Sequence, residues 1–354
     1  DDNRLILCKN DNLTLSTDEI IIKKNKNNYK IISSLDKGTF SNVYICKMND
    51  VDDVDDDDDD TSINNTSTNA KLIDVYNENS NQSKYVVKIY INSLKYKKYG
   101  MKELNVLLML NKPNNNIIKL IDYFHINNHI CLVLKKYDMN IRKYYTKELR
   151  YTQIKLDNFL LFIKDICKAL IYLDKNKIIN TDIKPENILI DYNYKKKIIN
   201  KVIMCDFSSL LEKDVAISHY NHTSLWYRAP EIYYNFSSLN YIDYWSFGCV
   251  LFELWYKKPL FKLLSYNIKK ENLKLQEIHI NKLGYPPQDY IEKYKINNNL
   301  LVKKKPNLSL NMPNYFQNII NSIPYNNIIY KLLKWEPSER ITPHEIIDTY
   351  FSNK

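Results

Sequence analysis

One short stretch constrains this chain more than any other: Asn180-Thr181-Asp182-Ile183-Lys184-Pro185-Glu186-Asn187, which runs directly into the apolar triplet Ile188 to Ile190. Pro185 fixes its own φ and offers no backbone N–H, so the stretch reads as a loop feeding a short buried strand. A carboxylate at Asp182 can accept the proton of an attacking hydroxyl, and the Asn187 amide can offer oxygen to a hard cation. An acid and an amide at this spacing recur by chance in many proteins. The embedded Lys184-Pro185-Glu186 makes the string specific.

Three further segments carry complementary chemistry. Cys205-Asp206-Phe207-Ser208 follows the apolar run Val202 to Met204, which puts Asp206 at the end of a strand. An aspartate there is ordinarily a turn residue; its place after Asp182 favours a second oxygen ligand for a cation. Val86-Val87-Lys88-Ile89 sets Lys88 on a strand, where an ammonium can meet phosphate, and Glu103 is the sole acid between Lys88 and Leu120. In Leu35-Asp36-Lys37-Gly38-Thr39-Phe40-Ser41-Asn42-Val43, Gly38 allows backbone N–H groups to approach an anion closely, while Asp36 would repel one.

Downstream, Ser224-Leu225-Trp226-Tyr227-Arg228-Ala229-Pro230-Glu231 ends a segment that begins at Asp206. From about Tyr29 to Phe351 these motifs together resemble the eukaryotic protein kinases. Trp226 to Glu231, with Lys282-Leu283-Gly284-Tyr285-Pro286-Pro287, is similar to the cyclin-dependent, MAP and splicing-kinase branch. The resemblance implies an α+β bilobal fold: a small antiparallel-sheet N-lobe with one main helix, and a larger, mainly helical C-lobe, with ATP between them. It implies Asp182 as catalytic base, Lys184 at the γ-phosphate, Asn187 and Asp206 as Mg²⁺ ligands, and Lys88 on the α/β-phosphates with Glu103 as its partner. Gly38, Val43, Leu134, Lys135 and Tyr137 would line the ATP site. Ser218, Tyr220, Thr223, Ser224 and Arg228 would belong to the activation segment, with Glu231, Asp243 and Arg340 structural and Glu231 paired to Arg340.

Within the branch, Gly38 to Val43, Gly100-Met101-Lys102-Glu103-Leu104, His129 to Val133, Met139 to Arg142 and Cys205 to Phe207 look like the pre-mRNA processing factor four kinase. Kinases of arginine/serine-rich splicing factors, including the LAMMER type, share a string similar to Thr181 to Asn187. The implied partners are protein substrates, spliceosomal or arginine/serine-rich, and the implied cofactors ATP and Mg²⁺.

The chain departs from the family pattern at Asp36 and Ser41 in two glycine places, at Asn180 and Thr181 for His and Arg, at Ser208 for the glycine after Asp-Phe, and at Lys135 for a hinge acid. Two readings follow: a serine/threonine kinase, dual specificity included, or a pseudokinase scaffold. The departures tune geometry, whereas Lys88, Glu103, Asp182, Lys184, Asn187 and Asp206 keep the groups that perform the chemistry, which favours catalysis.

Organisation along the chain agrees with one catalytic unit. Residues 49 to 84 hold 11 acidic and 2 basic residues, including the run Asp55 to Asp60, and lack apolar periodicity. They read as a disordered insertion between two strands of the N-lobe, preceded by an N-terminal extension (1–28) within a layout of N-lobe (29–137) and C-lobe (138–354). Strands are expected at Tyr29 to Leu35, Asn42 to Cys46, Tyr85 to Tyr90 and His129 to Leu134, and helices beyond Gly100 and from Leu156. Net charge is +10, so the chain outside the acidic tract carries +19. A nucleic-acid binder would use such a surface, but no recognition module is present and a Lys-rich composition is the simpler account. Six scattered cysteines without a C-x-x-C pair indicate neither zinc nor a disulfide framework, and hence a reducing, intracellular setting, nucleus or cytoplasm. The longest apolar run, Tyr241 to Tyr256, is too short to span a bilayer and contains Asp243 and Glu253. A monomeric domain with no membrane segment is expected.

Overall fold

The structure, a computed structural model, describes residues 8–9, 12–13, 20–22, 28–38, 40–49, 84–113, 115–126, 128–213, 223–234, 236, 239–263, 271–296, 312 and 314–352. The acidic tract between 50 and 83, together with Ser218 and Tyr220, lies outside the described residues. The chain divides into two compact units, Asp1–Lys98 with Leu120–Lys136, and Tyr99–Lys119 with Tyr137–Lys354.

In the first unit, β1 (Cys8–Lys9) and β2 (Asn12–Leu13) form a small antiparallel ladder. The main sheet contains β3 (Ile20–Ile22), β4 (Asn28–Lys37), β5 (Ser41–Asn49), β6 (Tyr85–Tyr90), β7 (Leu120–Ile126) and β8 (His129–Lys135), in the order β3-β4-β5-β6-β8-β7 with every ladder antiparallel. The sheet thus begins at Ile20, within the segment read as an extension. On β4, Tyr29 and Ile31 are buried while Lys30 and Ile32 are exposed, the two-residue period of a strand with one dry face. That face joins Tyr44, Cys46, Val87, Ile89, Phe124, Cys131 and Val133 in one core, and the Tyr29 ring stacks on Phe124 with centroids 5.8 Å apart. Register aligns Val43 with Lys88 and Lys88 with Leu132, so these side chains stand in one row across three strands.

Helix α1 (Leu94–Leu110) crosses the division. Where the sequence puts everything to residue 137 in one lobe, residues 99–119 pack with the second unit, for a visible reason: Glu103 Oε1 accepts the Phe207 N–H at 3.0 Å, Asn116 Nδ2 donates to the Val202 carbonyl at 2.8 Å, and Ile117 bridges Met204.

The rest of the second unit is mainly helical. After β9 (Met139–Asn140) and the single-turn α2 (Ile141–Lys143) comes α3 (Leu156–Lys175), which buries Phe159, Phe162, Ile163, Ile166, Cys167, Leu170 and Leu173. Phe162 is fully buried on this face, whereas Leu160 is half-buried. Strands β10 (Ile178–Ile179), β11 (Ile188–Asn193), β12 (Ile198–Met204) and β13 (Leu211–Glu212) follow, arranged as the sheet β12-β11-β9 and the antiparallel ladder β10-β13. Then come α4 (Pro230–Tyr233), α5 (Ile242–Tyr256), α6 (Glu271–Leu283), α7 (Gln288–Lys293), α8 (Asn314–Asn321), α9 (Asn326–Leu332) and α10 (Pro343–Phe351). Helix α5 is buried from Ile242 to Leu254. Gly248 lets it approach α9 closely, since a Cβ there would meet that of Leu332 at 3.0 Å. Among the described residues no helix is long and apolar enough to cross a membrane.

Candidate active site

The loop after β10 is shaped from beneath by Asp243, at the start of α5. Its carboxylate accepts the backbone N–H groups of Asn180 at 2.6 Å and Thr181 at 2.9 Å. Thr181 is left-handed, φ 72°, a turn that leads directly into Asp182. The Thr181 hydroxyl donates to the Ser209 carbonyl at 3.0 Å and is 3.1 Å from Ser209 Oγ, tying this loop to the segment after Asp206.

Asp182 is the centre of the constellation. Lys184 Nζ donates to its Oδ2 at 2.5 Å, Ser224 Oγ to its Oδ1 at 2.7 Å, and Asn187 Nδ2 to its Oδ2 and its carbonyl, each at 3.0 Å. Lys184 also reaches Ser224 Oγ at 3.2 Å, closing a triangle. Burial pushes the Asp182 carboxyl above its ordinary value; Lys184 and Ser224 oppose this, and the nearby Asp206 adds to it. The Asp182 carboxylate is therefore partly dehydrated yet held by a cation, and it accepts an aliphatic O–H, that of Ser224, at hydrogen-bond distance.

Asp206 follows β12 and is left-handed, φ 61°. The hydroxyl of Ser208, in the place of a family glycine, donates to Asp206 Oδ1 at 2.8 Å. Asn187 and Asp206 are joined through the backbone, the Cys205 N–H donating to the Asn187 carbonyl at 2.9 Å. Because the Asn187 nitrogen donates to Asp182, its side-chain oxygen would be the atom offered to a cation, and with the Asp206 carboxylate it would supply hard oxygen donors of the kind a divalent metal takes.

The residues beyond this centre fall into three groups. Arg340 and Glu231 pair as the resemblance implies, Nη1 to Oε1 at 2.6 Å and Nη2 to Oε2 at 2.8 Å, both fully buried. Arg228 is buried, its Nε 3.1 Å from Thr223 Oγ1 and its Nη2 2.9 Å from the Thr223 carbonyl, with Asn272 and Glu271 on the other side. Tyr137 is half-buried, its phenol pushed up to about 12 by burial and by the charges of Asp191 and Cys205. In the first unit, Lys88 is buried, with Nζ 5.2 Å from the Tyr90 ring centroid, Leu134 is buried opposite Val86, and Lys135 is exposed. The Gly38 N–H donates to the Ser41 carbonyl at 2.9 Å, and Asp36 accepts the Lys37 N–H at 2.8 Å.

Sequence reasoning missed one cluster. Arg142 donates from Nε to Glu186 at 2.7 Å and from Nη2 to the Tyr227 hydroxyl at 2.9 Å, and also reaches Glu253 and Tyr145. Glu253 accepts from the hydroxyls of Tyr227 at 2.6 Å and Tyr145 at 2.7 Å, and burial lifts its carboxyl to about 7 despite the Tyr227 and Arg142 contacts. The position of Glu186 within the catalytic string was the one available clue.

Comparison with known proteins agrees with this geometry. A family model described as protein kinase domain matches residues 68–352. A dual specificity protein kinase YAK1 homolog of Arabidopsis thaliana is 33% identical over 223 residues, covering 61% of this chain and 22% of that protein. Protein kinase gsk31 of Schizosaccharomyces pombe is 33% identical over 272 residues, covering 72% of this chain and 65% of its own. The chain thus spans between about a fifth and just under two thirds of these relatives. The crystal structure of the PF14_0431 kinase domain superposes with a TM-score of 0.72 at 22% identity, covering 96% of this chain and 98% of that one.

Proposed function

Because this chain belongs to the protein kinase family, we propose that it transfers the γ-phosphate of ATP to serine and threonine hydroxyls of other proteins. One observation carries the reading: Asp182 lies in contact with a cation, Lys184, with the metal-type amide of Asn187, and with an aliphatic hydroxyl, that of Ser224. A substrate hydroxyl in a position like that of Ser224 would give its proton to Asp182, while Lys184 faces the transferred phosphoryl group. Asn187 and Asp206 would hold Mg²⁺, which when bound neutralises charge between the β- and γ-phosphates. Lys88 would meet the α/β-phosphates, with Glu103 in the partner role that the resemblance implies. The retention of all these groups supports catalysis over a scaffold role.

The narrower reading, action on spliceosomal or arginine/serine-rich proteins in the nucleus or cytoplasm, rests on the fragments similar to the pre-mRNA processing factor four kinase. The name of the Arabidopsis thaliana relative, a dual specificity protein kinase, favours tyrosine hydroxyls as a second class of acceptor. Incubation of the purified chain with Mg·ATP and an arginine/serine-rich protein, with Asp206→Asn as control, tests both. Incorporation into serine or threonine that Asp206→Asn removes supports the reading; equal incorporation by the variant would refute it.

A further inference from the structure

A cavity of about 350 Å³ opens beside the catalytic base, walled by Lys184 and Ser224, which both touch Asp182, and by Arg142, Glu186, Trp226 and Tyr227. A polypeptide whose hydroxyl reaches Asp182 lays its neighbouring side chains over this cavity. Two carboxylates converge here. Glu186 belongs to the catalytic loop and is 41% exposed, whereas Glu253, on α5, is fully buried. A buried carboxylate requires a cation or several hydrogen-bond donors, and a second carboxylate beside it sharpens that need. The chain meets it from inside, since the Arg142 guanidinium lies between the two and contacts both.

Resting on the reading of this chain as a protein kinase, we propose that Arg142 is a specificity-determining residue: it fills an anionic subsite from within, so that substrates need no arginine or lysine beside the acceptor hydroxyl. An incoming arginine finds Glu186 already paired and the ammonium of Lys184 close by. The cavity therefore gives an arginine neighbour no advantage over a neutral or acidic one, and Trp226 offers apolar contact to any of them.

The test is a binding measurement on the full chain with fluorescent peptides whose acceptor serine is replaced by alanine, carrying either alanine or arginine at each neighbouring position in turn. Wild type is expected to bind the two series within about threefold, while Arg142→Ala binds at least one arginine peptide about tenfold more tightly than its alanine counterpart, a preference that Glu186→Gln in the same chain abolishes. Glu186→Gln alone, an exposed change that serves if Arg142→Ala does not fold, should leave wild-type arginine-peptide affinity unchanged. A wild-type preference for arginine that Glu186→Gln removes would overturn the proposal, as would a folded Arg142→Ala chain indifferent to arginine. Phosphate transfer to a protein substrate is scored separately: its absence counts against the kinase reading, and the peptide affinities count for or against the subsite.

Discussion

Thr181 is held in the left-handed region by Asp243, which accepts its N–H at 2.9 Å from the first turn of a buried helix. A β-branched residue in this region carries strain of order 1–3 kcal/mol, and the same carboxylate also satisfies Asn180. Asp243→Ala should therefore leave two buried N–H groups unpaired, at about 1–3 kcal/mol each, and release the turn that aims Asp182. Expected are a lower melting temperature and a kcat reduced by about tenfold or more, read in parallel melts and steady-state assays.

The same residue gives a pH dependence. Burial raises Asp243 from 3.8 to about 7, with the Thr181 and Asn180 amides opposing the shift. The folded state then holds the proton more tightly than the unfolded state, so this contribution to stability is fully present below the unfolded value and is lost as pH rises through about 7. Asn does not titrate. The stability of wild type relative to Asp243→Asn should fall between about pH 4 and about pH 7 and level off above that; a difference that stays flat over that window, measured by urea unfolding, would show that the carboxyl is not raised.

Arg340 and Glu231 form a desolvated two-pronged pair. Removal of one partner strands the other charge, so Glu231→Ala should cost about 3–5 kcal/mol, whereas replacement of both by apolar residues of similar volume should cost clearly less than the two single changes combined. Denaturant midpoints of the four proteins check this.

Lys88→Met and Asp206→Asn should each cut phosphate transfer by about a thousandfold or more while melting near wild type, because neither side chain builds a core. Ser208→Ala, which removes the hydroxyl on Asp206 Oδ1, should raise the Mg²⁺ concentration required for half-maximal rate without abolishing turnover. Turnover close to wild type in Asp206→Asn would refute the assignment.

Activation should depend little on phosphorylation. Many kinases carry an arginine where this chain has Thr181, whose hydroxyl instead ties directly to Ser209, and β10-β13 continues the connection through Ile179 to Leu211 and Ile178 to Glu212. Phosphatase-treated protein should retain substantial activity, and Thr223→Ala, which removes the hydroxyl that accepts from Arg228 Nε, should lower kcat/KM less than about tenfold. A hundredfold loss on phosphatase treatment, restored by rephosphorylation, would contradict this.

The candidate groups stood out because the chemistry they suit asks for particular side chains at short separations from strands: Asp182 and Asn187 share one loop, and Asp206 follows the next strand but one. Arg142 was not. Its acidic partners lie 44 and 111 residues away, and one arginine on a single-turn helix leaves no periodicity. Helix α1 begins at Leu94 rather than beyond Gly100, because the Ser93 hydroxyl caps Tyr96 N–H at 3.3 Å while its lysine-rich first turns carry no apolar stripe.

The chain has 4 glycines, and nine described residues of other types adopt positive φ. Thr181 and Asp206 do so at the site, but Lys177, Lys197, Lys257 and Lys295 do so in ordinary turns, Lys257 as the left-handed cap of α5. The scarcity of glycine in this chain is thus met by backbone strain, at about 1 kcal/mol or more for each such turn. Glycine, usually the residue that loosens a protein, would tighten this one at Lys257, where thermal stability remains to be gained from a single turn.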